Sequence, residues 1–173
     1  VLDSSLDEAA GPQGEWLNLK LDHIPGDVDF VFLMFHHPPY SSSGTNLING
    51  GHAARPSEQA LAKMLEARQA HAGYRIIVFS GHVHNYERHE HHGVTYFVSG
   101  GGGAHPYLIE RAPNDPFQSK EVNYHYLTVE VDGKQVTVTM NRLDLAAGKA
   151  VWTQPDTVKI PTPSAVAAQA AGH

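Results

Sequence analysis

The sequence predicts an α/β protein in which a βαβ unit carries two histidine clusters to one edge of a parallel sheet. Three observations predict it. Two continuous apolar runs, Val31-Phe32-Leu33-Met34-Phe35 and residues 74–79, have the length of buried strands. Between them, Ala60, Leu61, Met64 and Leu65 recur at helical spacing within residues 57 to about 72. Further on, two alternating stretches at 126–131 and 135–143 meet through Asp132-Gly133, which is an antiparallel hairpin signal.

In chain order, Val1-Leu2-Asp3-Ser4-Ser5 reads as the end of a strand followed by a turn. With no initiator methionine and no signal-like segment, the reading is of a chain that starts inside a larger domain or is a fragment. Residues 11–14 read as a turn. Residues 15–21 fit a helix through Trp16, Leu17 and Leu21 or a strand through Leu17, Leu19 and Leu21; the short helix is preferred, and Pro25-Gly26 ends the segment. After the first strand comes His36-His37-Pro38-Pro39-Tyr40, then a long polar loop with Gly44, Gly50, Gly51 and His52, of a length that binding loops have. Ser57 is the expected N-cap of the helix and Gly73 its C′ residue.

The second strand runs into Gly81-His82-Val83-His84. In extended backbone, side chains two residues apart point the same way, so His82 and His84 are expected to face one pocket. Parallel strands share a C-terminal edge, where open α/β sheets bind ligands. His36 lies at that edge too, so topology gathers His36, His82 and His84 as candidate metal ligands, imidazole being the commonest such side chain. The plainer alternative is that they cap strand ends.

His89, His91 and His92 read as a solvated turn, with Asn85, Tyr86, Glu87 and Arg88 bracing the histidine loop. Residues 94–98 form a third strand. Gly100 to Gly103 lack the Lys-Ser/Thr of a P-loop and read as a turn packed against backbone. Residues 104–123 are loop-like, 157–160 an edge strand, and the Ala-rich segment 161–173 a disordered tail after a single domain of residues 1–160.

Composition narrows the function. A formal net charge of -6 favours neither nucleic acid nor an anionic membrane as partner. No apolar run approaches the roughly 20 residues of a membrane helix. Cysteine is absent, so metal chemistry falls to imidazole, carboxylate and amide. The 13 histidines outnumber the 12 Lys plus Arg, so charge rises steeply below about pH 6.5.

Phe35-His36-His37-Pro38-Pro39-Tyr40, Gly81-His82-Val83-His84 with Tyr86-Glu87-Arg88, and Tyr96-Phe97-Val98-Ser99 with its four glycines agree in order and spacing with one family. The chain resembles the calcineurin-like metallophosphoesterases, and within them the bacterial relatives of purple acid phosphatases. The resemblance covers roughly residues 1–145. It implies a partial metallophosphoesterase-type β-sandwich, exported to a secreted or periplasmic location, acting as a hydrolase of phosphate monoesters or diesters. It also implies a divalent or trivalent metal cofactor (Zn, Fe, Mn or Cu; one or two per site), with His36 and His82 on one ion and His84 on the other. Such a pair polarises a phosphate ester and activates water for in-line attack. His37 or His52 would then contact phosphate or protonate the leaving group. For His37 a supporting role, and for His52 plain solvent exposure, are the simpler readings.

The Asp, Gly-Asp and Gly-Asn-His motifs that carry the family's other ligands do not occur here, and Gly26-Asp27 lacks the right neighbours. The match is therefore to a C-terminal half. Asp3 is a candidate replacement carboxylate. Three alternatives follow: a mononuclear His-only metalloenzyme on a non-phosphate substrate, a non-catalytic metal- or partner-binding half-domain, or completion of the site in a homodimer through open sheet edges.

Overall fold

The computed structural model describes residues 1–45, 53–146 and 148–171. Helices α1 (Gly11–Asp22) and α2 (Pro56–Gln69) cover one face of a mixed sheet. Strands β1 (Phe30–Met34), β2 (Arg75–Ser80), β3 (Tyr86–His91) and β4 (Val94–Ser99) build that sheet in the order β1-β2-β4-β3. Strands β1, β2 and β4 run parallel, and β3 runs antiparallel to β4. Behind the other face, β5 (Tyr124–Asp132), β6 (Gln135–Ala146) and β7 (Lys149–Pro161) form an antiparallel sheet in sequence order. The expected α/β sandwich, βαβ unit and C-terminal hairpin are all present.

Side-chain alternation on β2 and β4 explains the three layers. Ile76, Val78, Val94 and Tyr96 face Leu17 and Leu21 of α1 and Leu61, Ala62 and Leu65 of α2. Ile77 and Phe97 point the other way, onto Val136, Val138 and Met140 of β6 and Ile160 of β7. Both faces of the central strands are thus buried, as parallel strands require. At the edge, β1 buries Leu33 but leaves Met34 47% exposed, so the first apolar run is buried on one face only.

Several boundaries differ from the sequence reading. The turn expected at 11–14 is already helix, with Pro12 in the first turn, where its missing N–H costs nothing. Arg55, not Ser57, caps α2, because Pro56 takes the first helical position. The Arg55 N–H then donates to Glu58 Oε2 at 2.9 Å. Helix α2 stops at Gln69, whose amide accepts from the Ile76 N–H at 2.7 Å and donates to the Tyr74 carbonyl.

The turn expected at His89 to His92 is mostly strand β3, and His89 is only 7% exposed. Its charges are matched in place. Glu87 accepts from Ser41 Oγ, from the Ser42 N–H and from the His89 ring. Arg88 and the Tyr86 hydroxyl both reach Asp156 on β7. The edge strand expected at 157–160 is the end of the longer β7. In the segment read as a frayed tail, Pro163–Ala171 forms helix α3.

Candidate metal centre

Chain pairing brings the two histidine clusters together. The Phe35 N–H donates to the Phe79 carbonyl at 3.2 Å, and the Gly81 N–H donates to the His36 carbonyl at 3.0 Å. The β1–β2 ladder therefore continues one step past both strands, and the side chains beyond it meet. His36, His37 and His82 each offer a ring nitrogen, and the three lie within 4.8 Å of one another. Among the described residues this is the only such group of histidines and carboxylates.

His36 Nε2 and His82 Nδ1 stand 3.2 Å apart. Two imidazole nitrogens on one tetrahedral zinc, each at about 2.0–2.1 Å, would stand about 3.3 Å apart. The donor set therefore fits one cation, with three ligands and a fourth position left open. No carboxylate joins the group among the described residues.

His84 is placed elsewhere, and the backbone shows why. His82 has φ +65, in the left-handed region that a residue with a Cβ seldom adopts. The next bonds are tight: Val83 N–H to the Gly81 carbonyl and Asn85 N–H to the Val83 carbonyl, both 2.7 Å. The chain bends here instead of extending, so the expected common direction of His82 and His84 is lost. The His84 ring lies instead at the His105 carbonyl, Nδ1 to O 3.1 Å, and beside the Tyr107 ring. His37 takes the third position in the group.

The supports come from distant segments. Ser4 Oγ accepts from the backbone N–H groups of His36 and His37, and lies 2.9 Å from His37 Nδ1. That contact leaves Nε2 as the nitrogen His37 has for a metal or a ligand. Arg55 donates to the Ser4 carbonyl at 2.6 Å and pairs with Glu58 and Glu8, both fully buried. Burial, with the positive charge of Arg55 and of His36, holds the His37 imidazole below the usual histidine range. Nothing local in the sequence marks Ser4 or Arg55 for this role. Asp3 is turned away: its carboxylate accepts from the N–H and hydroxyl of Ser5. The expectation for His52 lies outside the described residues.

Asn85 secures the far side of the loop. It is fully buried, donates to the Tyr107 carbonyl at 2.6 Å, and accepts from Tyr86 N–H, Arg111 and Asn123. The glycine run packs against the same loop, as the sequence suggested. A Cβ on Gly100 would sit 2.0 Å from the Val83 carbonyl oxygen, and one on Gly101 would sit 2.1 Å from that of Asn123.

A cleft of about 750 Å³ opens beside His36 and Gly81, walled largely by apolar side chains of β1, β2 and β5.

No family model matches the chain, and no curated protein does. Among solved structures, GAP50, the anchor in the inner membrane complex of Plasmodium, is similar with a TM-score of 0.57 at 15% identity. The match covers 93% of this chain and 48% of that one. Vps29 of Chaetomium thermophilum matches with a TM-score of 0.42 at 15% identity, over 81% of this chain and 58% of that one. Vps29 of Entamoeba histolytica, complexed with zinc, gives 0.36 at 18% identity, over 68% and 52%. The likeness to GAP50 is one of fold. The chain spans about half the length of the solved structures it matches.

Proposed function

We propose that this chain carries a metal-dependent hydrolase site for phosphate esters, of the calcineurin-like metallophosphoesterase kind and nearest the purple acid phosphatases. The observation that carries the reading is the convergence of His36, His37 and His82, which leave the ends of two adjacent parallel strands with their ring nitrogens within 4.8 Å. The motif string around those residues supports the choice of family.

A bound metal supplies Lewis acidity to a phosphoryl oxygen. The chain supplies the rest. His36 and His82 hold the ion, and the bent backbone at His82 aims its ring. His37, fixed at Nδ1 by Ser4, presents Nε2 to the ion or to a phosphate oxygen. The apolar cleft beside His36 receives the organic part of the ester and sheds its water.

A second reading rests on the all-imidazole donor set. A single ion on three histidines also suits hydrolysis of a non-phosphate substrate. Metal content per chain by elemental mass spectrometry, followed by assays on p-nitrophenyl phosphate and bis-p-nitrophenyl phosphate, separates the readings. One metal with phosphoester turnover supports the proposal. One metal without turnover moves the function to the second reading. Absence of metal after incubation with zinc, iron, manganese and copper salts removes both.

A further inference from the structure

The cleft beside the metal group has a second chemical feature on its wall, independent of any metal. Ser99 is the last residue of β4, and His125 is the second residue of β5. Their side chains meet across the gap between the two sheets, Ser99 Oγ to His125 Nε2 2.9 Å. The other ring nitrogen, Nδ1, lies 2.8 Å from the Asn123 carbonyl oxygen. A carbonyl only accepts, so Nδ1 carries the ring proton. Nε2 then presents its lone pair, and the Ser99 hydroxyl must be the donor. Serine, imidazole and an orienting acceptor are thereby arranged as a nucleophile, its base and the group that fixes the base's tautomer.

The surroundings suit that chemistry. His125 is 4% exposed, and burial holds its imidazole below the usual range, so it stays neutral and able to take a proton. The Asn123 amide is anchored on Asn85 Oδ1 at 2.6 Å and on the Glu121 carbonyl at 2.9 Å, which steadies the acceptor. Ser99 and His125 both line the cleft of about 750 Å³, with Met34, Phe79, Leu127 and Val129 among the other walls. Gly102 lines it too.

We propose that Ser99 and His125 form a serine–histidine pair that cleaves carboxylic esters bearing an apolar group in this cleft. Ser99 Oγ forms a bond to the ester carbonyl carbon while its proton passes to His125 Nε2. The ester C–O bond then breaks, and the leaving alkoxide departs as the alcohol with that proton. Water attacks the acyl-serine next. Its proton returns through His125 to Ser99, and the carboxylic acid is released. No metal or redox partner enters the balance.

The test uses the full chain in chelator, which silences the metal group. Diisopropyl fluorophosphate is expected to give one covalent adduct, located on Ser99 by peptide mass spectrometry. The labelling should slow by about 100-fold in His125→Gln. Hydrolysis of p-nitrophenyl butyrate should persist in chelator and fall by about 100-fold in Ser99→Ala. An adduct elsewhere, no adduct, or turnover unchanged by Ser99→Ala overturns the proposal. A second variant guards against misfolding of the first. The chain has no cysteine, so Ser99→Cys carries a single thiol. Iodoacetamide should alkylate that thiol faster than the thiol of the Ser99→Cys/His125→Gln double variant, and equal rates overturn the assignment.

Discussion

His36 Nε2 lies 3.2 Å from His82 Nδ1, although 46 positions of chain separate the two residues. One hydrogen bond past the end of the β1–β2 ladder, from the Gly81 N–H to the His36 carbonyl, is what brings them together. The relationship makes a sharp prediction because His84, two residues on, is turned to the His105 carbonyl. His82→Ala should weaken metal binding by about 100-fold or more. His84→Ala should leave metal content close to that of the parent chain. Titration with zinc under elemental analysis reads both. Equal losses in the two variants would return His84 to the ligand set.

The glycine run makes a second test, of stability. Gly100 has no room for a methyl group, because the Val83 carbonyl oxygen would lie 2.0 Å from it, and both partners are backbone. Gly100→Ala should destabilise the fold by about 2–4 kcal/mol and displace the histidine loop. At Gly26 a methyl group would meet nothing within 4 Å, so Gly26→Ala should stay within about 0.5 kcal/mol. Urea unfolding of the pair decides it.

What could be read from the sequence was what local pattern encodes. The apolar run at β1, the helical spacing at α2 and the run at β2 each carry their own signature, and the parallel pairing of a βαβ unit then places His36 near His82. Strand β3 carried no such signature. Its His89 and His91 look like a solvated turn, and Glu87 and Arg88 like braces of the histidine loop, until partners from Ser41, Asp156 and Asp115 are in place. The turn of His84 away from His82 rested on one backbone angle, φ +65 at His82, which no periodicity announces. Ser4 and Arg55, like Ser99 and His125, act across long stretches of sequence, so only the folded chain shows them together.

Asp156 joins the two sheets at one point. It accepts from the Tyr86 hydroxyl at 2.8 Å and from Arg88 Nε at 2.9 Å, and the Arg88 and Asp156 side chains are 12% and 10% exposed. Removing it strands a buried phenol and leaves the buried guanidinium only its pair with the more exposed Glu90. Asp156→Ala should cost about 3–5 kcal/mol. Asp156→Asn keeps an acceptor for the Tyr86 hydroxyl and should cost less. Thermal unfolding that ranks the two variants the other way would refute a role for the charge pair.

Acid should weaken the fold through histidines held below their usual range, two of which, unlike His37, stand outside the metal group. Burial holds the imidazoles of His125 and His91 below the usual range, and at His91 the neighbouring His89 and His92 add to it. In the unfolded chain both take up a proton near about pH 6.5; in the folded chain they do so only at lower pH. Between those points the unfolded state binds more protons, so stability rises with pH and is lost as pH falls below about 6.5. The loss continues until the folded-state values are reached. His125→Gln removes one of the two groups. The variant starts from a lower level, since the bond to Ser99 goes with the ring, but its stability should fall less steeply from about pH 7 to about pH 5.5. The slope of the urea midpoint against pH is the quantity to read, and an unchanged slope would show that His125 takes up its proton over the same pH range in the folded and unfolded chain.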